Sequence, residues 1–339
     1  MSSKLPIQKL RGVNLGGWLL LERWMTPSLF AGTDAVDEFT FMATPYAEQK
    51  LEKHRQTFIT ESDFKWLHEH SVNALRIPVG YWVLEGDAPY LRAVRYLDWA
   101  MEMAERYKLH TIIDVHGLPG SQNGRDHSGR KGKAGWLRQH SLRRSSLDIL
   151  EQIARRYRDN PYFWGLQITN EPKLGLFQFK LRDYYRKAYD RLSQVLRPHT
   201  RVVFSDAFTP RLMSGGLKRR SHPVVMDVHL YHMSTLFSGF MSADWYLGKI
   251  ERWRELLAKL ARDQSVIVGE WSGVMRGETM KNKAPDQREA ITQRHLQTQL
   301  AAYENAAGWF YWSYKTEKPG LWNFRSLIES GKLEIPRSS

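Results

Sequence analysis

The stretch that decides the fold of this chain reads Trp164-Gly165-Leu166-Gln167-Ile168-Thr169-Asn170-Glu171-Pro172. A short, largely apolar run ends there in a glutamate, and a loop begins directly after it. A second stretch, Ser265-Val266-Ile267-Val268-Gly269-Glu270-Trp271, has the same form. In a parallel β/α barrel the catalytic groups converge at the C-terminal ends of the strands. The sequence therefore predicts that Glu171 and Glu270 face one cleft. Two such carboxylates are the smallest set of groups that cleavage of a glycosidic bond requires.

Segments of strand length recur eight times along the chain. They are Gly12–Leu15, Ala74–Pro78, Thr111–His116, Phe163–Asn170, Arg201–Ser205, Val224–His229, Val266–Glu270 and Gly308–Trp312. Amphipathic segments lie between them, at Ile59–His70, Tyr90–Tyr107, Leu142–Arg158, Phe179–Leu196, Trp245–Ala261 and Gln287–Ala306. Alternating strands and helices predict an α/β protein with a parallel sheet. Eight strands in about 300 residues favour a closed (β/α)8 TIM barrel. An open doubly wound sheet would be expected to carry a glycine-rich phosphate turn, and Gly12–Gly17 has the wrong spacing for one.

The domain organisation follows from the continuity of this alternation. The sequence contains no repeat, low-complexity tract or linker, so we expect one catalytic barrel domain over residues 1–339, with its core from about residue 11 to 324. The segment Trp18–Thr57 is long for a single strand-to-helix connection, and it predicts a loop that reaches over the barrel mouth.

The composition of the chain indicates the cellular compartment in which the protein is expected. The chain has no cysteine, which excludes disulfides and thiolate metal sites and favours a reducing compartment. Met1–Arg11 has no apolar run of signal-peptide length, and no run of about 18 apolar residues could span a membrane. The sequence therefore predicts a cytoplasmic protein, or an extracellular one if a leader has been removed.

The net charge of +14, from 50 basic and 36 acidic residues, raises the question of an acidic partner. The segment Arg125–Arg144 alone holds seven basic residues. A solvated basic surface is one interpretation. The other is that this segment lies at the barrel mouth, where it meets an acidic substrate or a membrane surface. No signature of a nucleic-acid module accompanies the charge, which argues against a nucleic-acid partner.

Polar and aromatic side chains stand at the ends of six predicted strands. They are Arg76, His116, Asn170, Glu171, His229, Tyr231, Glu270 and Trp312. Each has a structural explanation when taken alone, because a histidine at a strand end is commonly a hydrogen-bonded residue and Asn-Glu-Pro can begin a helix. Together they indicate one active site at the C-terminal end of a barrel.

These eight residues match the signature positions of glycoside hydrolase family 5, which the chain resembles from about Arg11 to Phe324. Within that family the chain is most similar to the exo-β-1,3-glucanase group. The shared stretches are Arg11–Trp18, Met25–Phe30, Arg76–Trp82, Gly117–Gly124 and Phe310–Glu317. The resemblance implies a retaining β-glycosidase that acts on a β-glucan or β-glucoside without a metal or cofactor.

The resemblance also implies roles for the two acids. Glu171 would be the general acid/base and Glu270 the nucleophile, working through a covalent glycosyl-enzyme. We expect Glu171 to be protonated near neutral pH and Glu270 to be ionised. Arg76 and Tyr231 are suited to holding Glu270 charged.

The remaining residues would bind or orient the sugar. Asn170 would bind the sugar 2-hydroxyl, and Trp312 would form the floor of subsite −1. His116 and His229 would orient the sugar and the nucleophile. Glu22 corresponds to a glutamate of the exo group that binds the terminal sugar. This match favours exo action.

The chain departs from the exo group in three ways. Arg125 stands where the group has a phenylalanine of its aromatic clamp at subsite +1, and the other half of the clamp falls near Ser234. The cysteines of the group are absent. The loop from Trp271 to about Asp286 is shorter. These departures predict a more polar and more cationic subsite +1 and a more open mouth.

Several functions stay open beside hydrolysis of a β-glucan. Within enzymes they are a β-glucan transglycosylase and a glycolipid β-glucosidase. From a different class comes a barrel that binds glycans or polyanions without catalysis, since one barrel fold supports many functions.

Overall fold

The computed structural model describes residues 9–175, 178–217, 220–232, 242–275 and 280–336. Eight parallel strands pair in chain order, and the first also pairs with the eighth, so that the sheet closes. The strands are β1 Leu10–Asn14, β2 Ala74–Gly80, β3 His110–Gly117, β4 Phe163–Gln167, β5 Arg201–Ser205, β6 Val224–Leu230, β7 Ser265–Trp271 and β8 Gly308–Tyr311. The predicted (β/α)8 TIM barrel is confirmed, and each predicted strand overlaps the observed one.

Ten helices lie among the described residues. They are α1 Glu38–Phe41, α2 Ala47–Thr57, α3 Glu61–Glu69, α4 Val94–Arg106, α5 His140–Tyr157, α6 Gln178–Leu192, α7 Pro210–Met213, α8 Ala243–Leu260, α9 Pro285–Tyr303 and α10 Phe324–Glu329. All six predicted helices are present as α3, α4, α5, α6, α8 and α9. None of these helices is both long and apolar enough to cross a membrane.

The segment from Trp18 to Thr57, which the sequence predicts to contain a loop over the barrel mouth, also contains helical structure. It contains α2, whose Ala47 and Leu51 pack with Leu21, Phe30 and Phe41 in a small separate apolar cluster. Most other residues of α2 are polar, so its helical period is weak in the sequence. The beginning of the segment does reach the barrel mouth, where Glu22 and Trp24 line the cavity described below.

The barrel interior is divided into an apolar lower half and a charged upper half. The lower half holds one apolar side chain from every strand: Leu10, Ala74, Ile112, Trp164, Val203, Val225, Ile267 and Phe310. Above it lie fully buried polar side chains: Asn14, Arg76, Asp114, Gln167 and Asp227. The lower half therefore provides an apolar core, and the upper half positions the charged groups of the site.

Candidate active site

Arg76 of β2 organises the charged upper half of the barrel. Its Nη1 donates to Glu270 Oε1 at 2.9 Å and to Asn14 Oδ1 at 2.8 Å. Its Nη2 donates to Asn170 Oδ1 at 2.8 Å and lies 3.0 Å from Asp114 Oδ2. Burial works against a charged guanidinium, but the neighbouring carboxylates outweigh it and raise the pKa of Arg76 above its usual range. Arg76 is therefore a permanent cation below the site.

Glu270, at the end of β7, is fixed through both of its oxygens. Arg76 binds Oε1, and the Tyr231 hydroxyl donates to Oε2 at 2.8 Å. Burial and the charge of Glu270 raise the pKa of Tyr231 well above its usual value, so the phenol keeps the proton that it donates. The two donors hold the carboxylate in one orientation.

Gly269 precedes this acid because no larger residue fits there. Its amide donates to Asp227 Oδ1 at 2.7 Å. A Cβ at position 269 would lie 2.0 Å from that same oxygen, which is far inside van der Waals contact.

Glu171 follows β4 with a backbone φ of 41°, a left-handed conformation that costs a non-glycine residue about 1–3 kcal/mol. Its Oε1 lies 2.8 Å from His229 Nδ1, and its Oε2 lies 3.4 Å from His127 Nε2. The strained backbone therefore aims the carboxylate between two imidazoles.

The expectation that Glu171 is protonated near neutral pH is wrong for the unliganded site. Burial works to raise the pKa of Glu171, but the hydrogen bond and charge of His229 outweigh it and hold that pKa at about 2. Burial likewise disfavours a charged His229, but the carboxylates of Glu270 and Asp227 hold the pKa of His229 well above 6.5. The proton expected on the acid is therefore on the adjacent histidine.

The two acids lie close together. One oxygen of Glu171, one oxygen of Glu270 and a ring nitrogen of His229 all lie within 4.8 Å of one another. This is the only group with metal-ligand spacing in the part of the chain that the structure describes. Its atoms already bind each other, Arg76 and Tyr231, and the Arg76 cation disfavours a metal there.

His116 lines the cavity described below, and it contacts Asn170 beneath the cavity. Burial lowers the pKa of His116 to about 3, so its ring is neutral. Its Nδ1 lies 2.6 Å from Asp114 Oδ2 and its Nε2 lies 3.1 Å from Asn170 Nδ2. With Nδ1–H donating to Asp114, Nε2 accepts from Asn170, whose amide orientation is fixed at the other end by Arg76.

Aromatic side chains surround Glu22 and Trp312. Glu22 is buried and accepts a hydrogen bond from Trp24 Nε1 at 2.8 Å. Burial raises the pKa of Glu22 to about 8, so its carboxyl can carry a proton at neutral pH. Trp24 packs on Trp322 with ring centroids 5.1 Å apart, and Trp312 stacks on His116 at 5.5 Å.

A cavity of about 660 Å³ joins these groups. Seven of the nine predicted site residues line it: Glu22, His116, Glu171, His229, Tyr231, Glu270 and Trp312. Arg76 and Asn170 lie fully buried directly beneath, in contact with the others. The structure therefore brings all nine predicted residues together.

Sequence reasoning missed several residues that line this cavity. They are Trp24, His127, Asp206, Phe208, Lys249, Trp253 and Trp322. Asp206 directly follows β5, so its strand-end position was a usable signal. His127 lies in the connection after β3, and Lys249 and Trp253 lie on α8, where no strand end marks them.

The basic segment Arg125–Arg144 does not form one face at the cavity. Arg125 lines the catalytic cavity. The Arg130 guanidinium lies 3.8 Å from the ring centroid of Phe39, and Arg130 lines a different cavity. Lys133 and Arg138 line a third one. Position 234, expected near subsite +1, lies outside the described residues, as do residues 276–279 of the loop after β7.

A closed (β/α)8 barrel with two adjacent carboxylates at its C-terminal end has the architecture of a glycoside hydrolase. The family model described as "Cellulase (glycosyl hydrolase family 5)" matches residues 36–318. The chain therefore belongs to glycosyl hydrolase family 5, and it is an enzyme that cleaves glycosidic bonds.

Curated relatives and solved structures agree with this family. The chain is 35% identical over 370 residues to "Probable glucan 1,3-beta-glucosidase A" of Neosartorya fischeri, covering 96% of this chain and 88% of the relative. It is 33% identical over 365 residues to "Glucan 1,3-beta-glucosidase 1" of Schizosaccharomyces pombe, covering 97% and 88%. The crystal structure of a rutinosidase from Aspergillus niger superposes with a TM-score of 0.78 over 96% of this chain and 97% of that one, at 24% identity, and so shares the fold.

Proposed function

We propose that this protein is a retaining exo-β-glucosidase of β-1,3-linked glucan or a related β-glucoside, built as one catalytic domain. Glu171 is the general acid/base and Glu270 the nucleophile. The observation that carries the proposal is the separation of at most 4.8 Å between an oxygen of each acid. Retaining enzymes place their carboxyl groups about 5–5.5 Å apart, whereas inverting enzymes leave room for a water. The names of the two relatives, both glucan 1,3-beta-glucosidases, support a β-1,3-glucan as substrate.

The first step forms a bond between Glu270 and the anomeric carbon. The bond from that carbon to the leaving oxygen breaks, and the leaving oxygen takes a proton from Glu171. In the second step Glu171 removes a proton from water and passes it back to His229, and the water oxygen replaces Glu270 at the anomeric carbon. The products are a sugar with retained configuration, the free alcohol and both acids in their starting states.

The proton for the first step comes from the pair His229–Glu171. In the free enzyme His229 carries it, 2.8 Å from Glu171 Oε1. The charge of Glu270 stabilises the His229 cation, and formation of the glycosyl ester removes that charge. The pKa of His229 therefore falls during glycosylation, which drives its proton to Glu171 and on to the leaving oxygen.

Exo action is supported by the groups around Glu22. This carboxyl can hydrogen-bond hydroxyls of a terminal sugar, while Trp312 and the pair Trp24 and Trp322 offer flat apolar surfaces for the sugar ring. Asn170, held by Arg76 and His116, is placed to contact the 2-hydroxyl of the same sugar.

Two Glu variants test the chemistry. Glu270→Gln removes the nucleophile and should abolish turnover of laminari-, cello- and gentio-oligosaccharides. Glu171→Ala should slow substrates with poor leaving groups by about 100-fold or more, and activated aryl glucosides far less in the first step. Glu251→Gln, which changes an exposed ion pair with Arg254, is the matched control. Turnover by Glu270→Gln at the wild-type rate would refute the assignment.

Two further assays separate the alternatives. A transglycosylase would partition the glycosyl-enzyme to an added sugar acceptor, and a glycolipid β-glucosidase would bind vesicles that contain its substrate. A cytoplasmic location remains a prediction that rests on the lack of cysteine, and fractionation of cells that express the tagged chain would test it.

A further inference from the structure

Two cations in the catalytic cavity have no role in the chemistry proposed above. Arg125, from the connection after β3, and Lys249 of α8 both line this cavity with Glu171. Among the residues that the structure describes, no carboxylate oxygen lies within 4.0 Å of either side chain, and the one cation–π contact of Lys249 is with Trp245, whose ring centroid lies 5.6 Å from Nζ. Glu22, Glu171 and Glu270, which line the same cavity, are each engaged by another partner, namely Trp24, His229 and Arg76.

Arg125 belongs to the side of the cavity that receives the leaving group, and Lys249 lines the same cavity. The acid/base marks that side, because it protonates the leaving oxygen. Arg125 is two positions before His127, which lies 3.4 Å from Glu171. Phe208 packs edge-on to His229, the other partner of Glu171, with ring centroids 6.3 Å apart.

This side of the cavity also offers apolar surface. Phe208 is 53% exposed although it lines the cavity, and Trp253 lies one helical turn after Lys249 on α8. One acid, Asp206, lies two positions before Phe208 in the sequence and lines the same cavity. Its carboxyl accepts from the Phe208 amide at 3.0 Å, and burial raises its pKa to about 7, so that it carries only part of a negative charge at neutral pH.

We propose that the aglycone site takes an anionic aglycone, in which a flat apolar ring carries a carboxylate. Arg125 and Lys249 bind the carboxylate, and Phe208 and Trp253 contact the ring. This inference rests on the proposed β-glucosidase function and names the class of its substrate. A cation without a carboxylate partner is a poor contact for a neutral glucan, whereas a charge-assisted hydrogen bond to a carboxylate is among the stronger polar contacts.

The test compares 4-carboxyphenyl β-glucoside with its neutral methyl ester. Binding of each to the Glu270→Gln protein is measured by calorimetry, so that the result does not depend on turnover. The acid should bind about tenfold more tightly than the ester, the size expected for one net charge-assisted contact. This preference should weaken as salt is raised from 0.05 to about 0.5 M.

Arg125→Gln and Lys249→Gln, each added to Glu270→Gln, should reduce the preference by about three- to tenfold. Arg130→Gln is the matched control, because Arg130 belongs to the same basic segment but lines a different cavity; it should leave the preference unchanged. Thermal melts establish that each variant is folded.

Equal binding of the acid and the ester, or a preference that neither substitution reduces, would overturn the inference. Hydrolysis of the ester by the wild-type enzyme reports on the proposed function separately. If the ester is hydrolysed and the two affinities are equal, only the anionic aglycone is wrong. If the wild-type enzyme neither hydrolyses nor binds the ester, the β-glucosidase proposal fails and this inference fails with it.

Discussion

Gly269→Ala is the substitution whose effect is most directly set by the geometry of the site. The added Cβ would lie 2.0 Å from Asp227 Oδ1 and 2.4 Å from its Oδ2. Asp227 cannot rotate away without loss, because its oxygens accept from the Gly269 amide at 2.7 Å and from Gln167 Nε2 at 2.8 Å. Its Oδ2 also lies 3.2 Å from His229 Nε2.

The expected cost follows from these contacts. Overpacking of a well-filled core costs about 1–3 kcal/mol, and breaking one hydrogen bond to a charged group costs a further ~1.5–3 kcal/mol. We expect the free energy of unfolding to fall by about 2.5–6 kcal/mol. With an unfolding entropy of roughly 2.1 cal/mol/K per residue over 339 residues, this lowers Tm by about 3.5–8 °C. Because Asp227 supports His229, kcat should fall about tenfold or more.

Differential scanning calorimetry and kinetics on an aryl β-glucoside measure the two effects. Gly248→Ala is the matched control. It lies inside α8, and its added Cβ would have only Arg252 Nη1 within 4 Å, at 3.8 Å. That change should stabilise the helix by about 0.5–1 kcal/mol. A Gly269→Ala protein that melts within 1 °C of the wild type and keeps its kcat would contradict the steric argument.

Two further predictions concern protons. His229→Gln removes the cation beside Glu171, so the pKa of Glu171 should rise from about 2. The basic limb of the plot of kcat/KM against pH should therefore move to lower pH. An unchanged basic limb would exclude His229 as the proton source. His295 is 1% exposed, and burial lowers its pKa to about 4, so the folded protein binds this proton more weakly than the unfolded chain. Stability should therefore fall as pH drops from about 6.5 to about 4. His295→Leu should remove up to about 2 kcal/mol of that loss at pH 5, measured as the difference in unfolding free energy between pH 7 and pH 5; an equal acid loss in both proteins would show that other groups cause it.

The barrel and its catalytic residues could be predicted because both depend on local patterns. Short apolar runs such as 265–271 form the buried strands. Closure of eight parallel strands then brings the C-terminal end of every strand to the same side of the barrel. The end of each run, such as Glu270, was therefore enough to place a residue in the site. The same reasoning could not find α2, because the helix has few apolar residues. Their role in packing is evident only from the folded chain, where Leu21 and Phe41 contact them.

Other features depend on neighbours that are distant in the chain. The sequence of the basic segment suggests a single charged face. In the structure, however, Arg125 alone of its seven basic residues lines the catalytic cavity, while Arg130 packs on Phe39. Side chains that enter from helices, such as Lys249, have no sequence signal comparable to a strand end. A loop or a helix can turn its side chains to several cavities, and the contacts of the folded chain decide which one.

The amino-acid sequence by itself determined the barrel, the glutamate pair and the family, since strand period and strand-end residues are local properties of the chain. The tertiary structure alone decided which groups carry protons. Glu171 loses its proton to His229 because Asp227 and Glu270 also face that ring. These carboxylates come from β6 and β7, and their mutual electrostatic energy exists only once the barrel has closed around them.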